Sequence, residues 1–274
     1  MRAAERMEDL IYLYGLVPTN ELIEKPLPPF KDFDGKGEIY PIEISGITAV
    51  VCQLDSGSYT EETIKERIDN DMAWLQEKAF HHHETVLNLS KLYTIIPLRF
   101  CTLYKNEDSL KETIQSNSSR MESTFNLISN NEEWNLKIYC NDELLKKEVS
   151  ANNPAIEEKR EEISSLSKGK QFFEKKKLDQ LIEKEVEKEK IAVCEDIHLH
   201  LKGFAIEGHV KKTWGKDVTG RKDQMTWNSV YLVPKTKVEP FLKQIQQYEK
   251  DMKEKGWQFE ATGPWPAYHF SSFS

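Results

Sequence analysis

The sequence predicts an α+β protein of two domains. An N-terminal ferredoxin-like sheet with covering helices is followed by a smaller C-terminal α+β domain, joined to it by a long charged helix. Three observations carry this reading. Strand-like runs of branched and aromatic residues alternate with amphipathic stretches through the first half. From Ile156 to Lys190, 20 of 35 residues are charged, with both signs interspersed. Beyond that run, two further strand-like runs flank one amphipathic helix. A chain of 274 residues is long enough for two ordinary domains. Residues 1–142 are expected to form the first, and 143–274 the helical linker and the second.

Taken in order, Leu10–Val17 (LIYLYGLV) is rich in aromatic and branched residues and stops at Pro18, which reads as a strand. Three prolines and one glycine make Glu24–Lys36 irregular. Glu38–Ile44 and Ile47–Leu54, separated by Ser45-Gly46, have the spacing of a two-residue hairpin. Thr60 can cap a helix running to about Leu92, with Glu61 and Glu62 in its first turn. Ile64, Ile68, Met72, Leu75, Ala79, Val86 and Leu89 build its apolar stripe. Thr94–Thr102 reads as a strand, Asp108–Ile128 as a second amphipathic helix, and Trp134–Cys140 as the strand closing the first domain. The sheet is expected to be covered by helices on one face.

No proline occurs between Pro154 and Pro234. Leu178, Ile182, Val186, Val193 and Ile197 keep a helical spacing, so one long helix with a narrow apolar seam is expected. A short break at Ser164–Gly169 separates it from a preceding helix. His209–Met225 (HVKKTWGKDVTGRKDQM) is basic and glycine-punctuated and reads as an exposed loop. Trp227–Val233 is a strand, Val238–Lys255 an amphipathic helix, and Trp257–Thr262 the last strand.

The net charge of −8 argues against nucleic acid as the main partner, because phosphate binding needs clustered positive charge. It gives no attraction to an anionic lipid membrane either. The longest apolar run near the start has eight residues, too few for a membrane span, and the leader before Met7 is given no structural role. Cys52, Cys101, Cys140 and Cys194 form no C-x-x-C pair and follow apolar residues, the placing of buried free thiols in a reducing compartment.

Three motifs suggest chemistry. His81-His82-His83-Glu84 lies on a helix, where neighbours point about 100° apart, so three adjacent imidazoles do not converge on one metal ion. One imidazole is expected to pack against the sheet. Gly215–Lys222 (GKDVTGRK) has the glycine spacing of a phosphate loop, but no lysine follows Gly220 directly and no hydroxyl follows Lys222. His198 and His200 have no third ligand at suitable spacing apart from nearby Cys194 and Asp196, and a structural role is expected for them. No nucleophile elbow or catalytic triad order is present.

The tail GPWPAYHF (Gly263–Phe270) is stiff and aromatic. Pro264 and Pro266 fix the backbone on either side of Trp265, so these three residues read as a clasp against the domain. Tyr268 and Phe270, further along, are the candidates for contact with a partner.

Several ordered pieces together resemble the GvpF/GvpL family of gas vesicle proteins. They are IYLYGLV, HETVL with YTIIPLRFCTLY, WNLKIYC, LSKGKQFF, NSVYLV and TGPWPAYHF, spanning about residues 8 to 270. The family usually has glycine where Cys101 stands and a second proline where Ala267 stands. The resemblance implies a non-enzymatic, cytoplasmic protein associated with gas vesicles. It would bind the small hydrophobic shell protein of the GvpA/GvpB type, and other gas vesicle proteins, and assist assembly as an accessory or minor vesicle component. It implies no cofactor, no metal and no nucleic acid. The alternative is an enzyme with an unrecognised metal or nucleotide site around His81–Glu84 or Gly215–Lys222.

Overall fold

The computed structural model describes residues 9–271, so the leader lies outside the described residues. Its first strand, β1 (Leu10–Pro18), is buried at every interior position. A strand with apolar residues at consecutive positions can hide them only if both faces of its sheet are covered. β1 therefore occupies the middle of a sheet. The short helix α1 (Thr19–Glu24) and an irregular segment lead to β2 (Tyr40–Ile44), which forms a hairpin with β3 (Ile47–Leu54) through Ser45-Gly46. β3 runs antiparallel to β1, with Leu10 opposite Leu54 and Pro18 opposite Ile47. On the other side of β1 lie β4 (Ile96–Pro97) and β5 (Leu103–Tyr104). The order β2-β3-β1-β4 is that of the split βαβ pattern.

A bulge sets which β1 residues face which way. The register passes from Leu13 opposite Val51 to Gly15 opposite Val50, which leaves Tyr14 as the extra residue. Ile11 and Leu13 thus share a face with Leu16, while Tyr12 and Tyr14 share the other with Val17. Gly15 sits where β1 meets β4. A Cβ there would come within 2.5 Å of the Ile95 side chain and 3.1 Å of the Ile96 carbonyl.

The helices cover both faces of this sheet, not one. On the Tyr12 face lie α2 (Glu61–Asn70) and α3 (Met72–Ser90), which bury Ile64, Val86 and Leu89. On the Leu13 face lie α4 (Glu107–Ser116) and α5 (Ser118–Ser129), which bury Leu110, Ile114, Met121 and Phe125. Each pair was expected as one helix. The break in the first comes at Asp71, whose carboxylate accepts the Trp74 N–H at 3.0 Å and starts a new helix. Asn117 separates the second pair. The expected strand Thr94–Thr102 shrinks to β4, because Pro97 lacks a donor and Cys101 adopts φ 61°.

The chain divides into two compact units, residues up to 131 with 265 onward, and 132–264. In the second unit β6 (Asn131–Cys140) is followed by α6 (Asp142–Asn152), α7 (Pro154–Ser164) and α8 (Lys168–Lys202). Then come β7 (Glu207–Val210), the single turn α9 (Lys216–Thr219), β8 (Gln224–Pro234), α10 (Val238–Met252) and β9 (Trp257–Trp265). The sheet order is β7-β8-β6-β9. β6 thus belongs to the second sheet, although it was expected to close the first domain. The border at 142/143 correspondingly moves to 131/132, and the tail from Trp265 belongs to the first unit.

The 35-residue α8 is a wall of the second core, not a linker. Ile182, Val186, Cys194, Ile197 and Leu201 pack with Leu136, Ile138, Tyr231, Val233 and Trp257 of the sheet and with Phe241 and Ile245 of α10. Lys190 is buried in the same seam, its Nζ 2.7 Å from both Asp142 and Glu187. Alternation in β6 and β9 turns Lys137, Tyr139, Gln258 and Glu260 to the opposite face. The basic segment 211–223 covers them. The Lys137 ammonium lies 5.0 Å over the Trp214 ring, and the Arg221 guanidinium 4.0 Å over Tyr139, bonded also to Glu260 and Gln258. Among the described residues no helix is long and apolar enough to cross a membrane.

Candidate functional site

The tail overlaps the last three residues of β9. The Gly263–Pro264 peptide is cis, and Gly263 has φ 150°. A side chain at Gly263 would meet the Glu133 carbonyl and the Trp134 ring at 2.9 Å, so only glycine fits this close approach. Pro264 is exposed, Trp265 half-buried and Pro266 buried. The indole of Trp265 lies 5.6 Å from the His83 ring. Ala267 packs into the core cluster that holds Leu13 and Leu16. The Ser271 N–H donates to the Ala267 carbonyl at 3.0 Å, turning the chain back. Phe270 is half-buried, with its ring 5.0 Å from that of His269.

Tyr268 enters a polar cluster on the Tyr12 face of the first sheet. Its hydroxyl is 3.5 Å from His82 Nε2. The same nitrogen is 3.0 Å from the Leu98 carbonyl, and His82 Nδ1 is 2.8 Å from the Tyr12 hydroxyl. A carbonyl only accepts, so Nε2 carries the proton and Nδ1 accepts from Tyr12. The Tyr12 oxygen in turn accepts the Cys101 N–H at 3.3 Å. His82 is 3% exposed, and burial pushes its pKa down to about 4, so the ring is neutral. His81 reaches the Tyr14 hydroxyl at 3.4 Å and His83 meets Trp265, so the three adjacent imidazoles point to three different neighbours.

The Tyr268 side chain also lines a cleft of about 390 Å³ in the first unit. Its apolar wall is Leu13 and Leu16 from β1 with Ile114 and Met121 from α4 and α5. Arg99 and Arg120 are the charged residues on its lining. An apolar surface beside two guanidiniums suits a partner segment that buries aliphatic side chains and presents an acceptor at its edge.

Among the described residues no group of three His, Cys, Asp or Glu side chains could hold a metal ion. Burial pushes the thiols of Cys52 and Cys101 up to about 11 and those of Cys140 and Cys194 to about 12, which keeps them protonated and poor as nucleophiles. Gly215–Lys222 forms α9 and a left-handed Gly220, and Arg221 turns onto Tyr139 instead of toward a phosphate cradle.

Sequence reasoning picked out Tyr268 as a partner contact, and Arg99 lies in YTIIPLRFCTLY, one of the pieces that carry the family resemblance. The same reasoning missed Arg120, Ile114 and Met121, which look like ordinary positions on an amphipathic helix until the fold puts them beside Leu13.

Against known proteins, the family model described as gas vesicle synthesis protein GvpL/GvpF matches residues 10–272. Among solved structures, the gas vesicle protein GvpF from Anabaena sp. PCC7120 is similar with a TM-score of 0.71 at 18% identity, covering 97% of this chain and 100% of that one. GvpF from Microcystis aeruginosa gives 0.65 at 17% identity, covering 96% and 99%. No curated protein matches the chain in sequence.

Proposed function

The chain belongs to the GvpL/GvpF family of gas vesicle proteins, and from that premise we propose that it is a non-enzymatic accessory protein that binds the small hydrophobic shell protein and assists vesicle assembly. The observation that carries this reading is the Tyr268 cleft, with its aliphatic wall and two arginines. A shell subunit rich in apolar surface needs a partner that covers part of that surface before assembly. The high charge of the rest of the chain keeps such a complex in solution. The protein works in the cytoplasm, alongside other gas vesicle proteins.

In this reading the tail has two roles. Pro264, Trp265 and Pro266 clasp the chain to the first unit, and Tyr268 and Phe270 meet the partner. Co-purification of the shell protein with Trp265→Ala, Tyr268→Ala and Phe270→Ala variants, beside thermal melts, tests it. Trp265→Ala should lower stability by about 2 kcal/mol, less than a fully buried tryptophan would, and binding should fall only with the folded fraction. Tyr268→Ala or Phe270→Ala should stay folded yet retain at least roughly tenfold less shell protein. Full binding by both folded variants would remove the tail from the contact, and no co-purification by the unaltered chain would end the proposal.

A further inference from the structure

Two helix faces in different units carry opposite charge around exposed apolar side chains. The first is the start of α8. Phe172 and Phe173 are 75% and 72% exposed, two adjacent rings that place a contiguous apolar patch in water. Residues 168–177 hold five lysines and one acid, in a chain whose net charge is −8. The acid, Glu174, turns inward to Lys159 of α7 at 3.1 Å. Lys168, Lys170, Lys175 and Lys176 stay exposed around the two rings.

The second face, on α2 and α3, is the mirror image in charge. Met72 and Phe80 are 64% and 68% exposed. Residues 61–84 hold seven acids and three cations, and two of those cations turn inward. Arg67 lies over the Tyr59 and Trp74 rings. Lys78 donates to the Phe33 carbonyl at 2.9 Å, although it also meets Glu77 at 3.1 Å. Asp69, Glu77 and Glu84 are left exposed beside the apolar pair.

We propose that the chain self-associates head to tail, the basic aromatic face of α8 on one copy docking on the acidic apolar face of α3 on the next. The occupant is a second copy because the same chain supplies both halves of the match. Rings find apolar side chains and lysines find carboxylates. Such a contact is heterologous, so an assembly of any length keeps one free face of each kind at its ends and the association extends with concentration. It uses neither the Tyr268 cleft nor the tail, so it stands or falls apart from shell-protein binding.

Sedimentation of the full chain across a concentration series tests it. Mass should rise with concentration at about 50 mM salt, and association should weaken at least roughly tenfold at about 500 mM, where charges are screened within a few ångströms. Phe172→Ser with Phe173→Ser should weaken it to a similar degree. Lys175→Glu, Lys176→Glu and Lys177→Glu together should abolish it. Adding Asp69→Lys, Glu77→Lys and Glu84→Lys to that same chain should restore it, since residues 61–84 then hold four acids and six cations and both faces are reversed. All these side chains are exposed, and circular dichroism checks that each variant is folded. The salt series needs no variant. A chain that stays monomeric, association indifferent to the α8 changes, or failure of the doubly reversed chain to associate would each overturn the proposal. So would capture of the monomer by phosphatidylserine vesicles through the same lysines, which would assign that face to a membrane.

Discussion

The two sheets are covered by different means. In the first, β1 is sealed on both faces by apolar side chains of four helices. In the second, one face packs on α8 and α10, while the other is covered by segment 211–223 through cations over rings and charged hydrogen bonds. Apolar burial scales with area removed from water and is lost only by opening the core. Cation–π contacts at a partly wet surface contribute about 0.5–1 kcal/mol each, and they can be exchanged for water. The first sheet is therefore a fixed frame for the tail and its cleft, and the outer face of the second has a cover that can come away.

The largest expected effect tests the frame. Leu13→Ala removes a side chain buried between β1 and the α4–α5 layer and should cost roughly 2–5 kcal/mol in urea unfolding. A cost below about 1 kcal/mol would mean that this face is loosely packed and that the contrast between the sheets is false.

Next comes pH. His82 has its pKa lowered from 6.5 to about 4 by burial. Between those values the unfolded chain binds a proton that the folded chain excludes. The stability tied to neutral His82 is thus complete above pH 6.5, falls as pH drops through the window, and falls no further below about 4. The loss from pH 7 to pH 5 is about 2 kcal/mol. His81 and His198 are lowered by burial with the same sign, so the comparison is made against His82→Asn. That variant should show a shallower decline. An equal slope would assign the pH dependence elsewhere.

A smaller effect of opposite sign is expected at Cys101. Its φ of 61° lies in the left-handed region that favours glycine. Cys101→Gly should raise stability by about 1 kcal/mol, read as a higher urea midpoint. A lower midpoint would show that packing of the half-buried thiol outweighs the backbone term. The resemblance to a family that usually has glycine there thus has a backbone reason.

The smallest effect is on the second cover. Trp214 is 45% exposed and held by Lys137 and Met225. Trp214→Ala should cost about 0.5–1 kcal/mol globally while amide exchange across 211–223 speeds up. A loss as large as that of Leu13→Ala would put this segment in the core and erase the distinction.

Local chemistry was legible in the sequence. The Thr60 cap, the Ser45-Gly46 hairpin and the seam of α8 depend on residues a few positions apart, and the structure has all three. LIYLYGLV carried a further message that the one-face reading overlooked. A run with no polar alternation already requires cover on both sides. His81, His82 and His83 could be told apart in direction by helical geometry alone, but not in which one would be buried.

What tertiary structure decided are the pairings between distant residues. WNLKIYC reads as a strand by its own composition, yet nothing local says which sheet it joins, because β6 finds its partners in β8 and β9 from far along the chain. The tail reads as rigid, but its place in the first unit depends on Ala267 reaching Leu13 and Leu16 across some 250 residues. The basic loop looked loose because its anchors, Lys137, Tyr139 and Glu260, belong to other strands. The cleft is the same case, a surface made only when β1, α4, α5 and the tail converge. Propensity and periodicity act over one or two turns of chain. The free energy that chooses among distant partners comes from burial, and burial has no address in the sequence until the chain has folded.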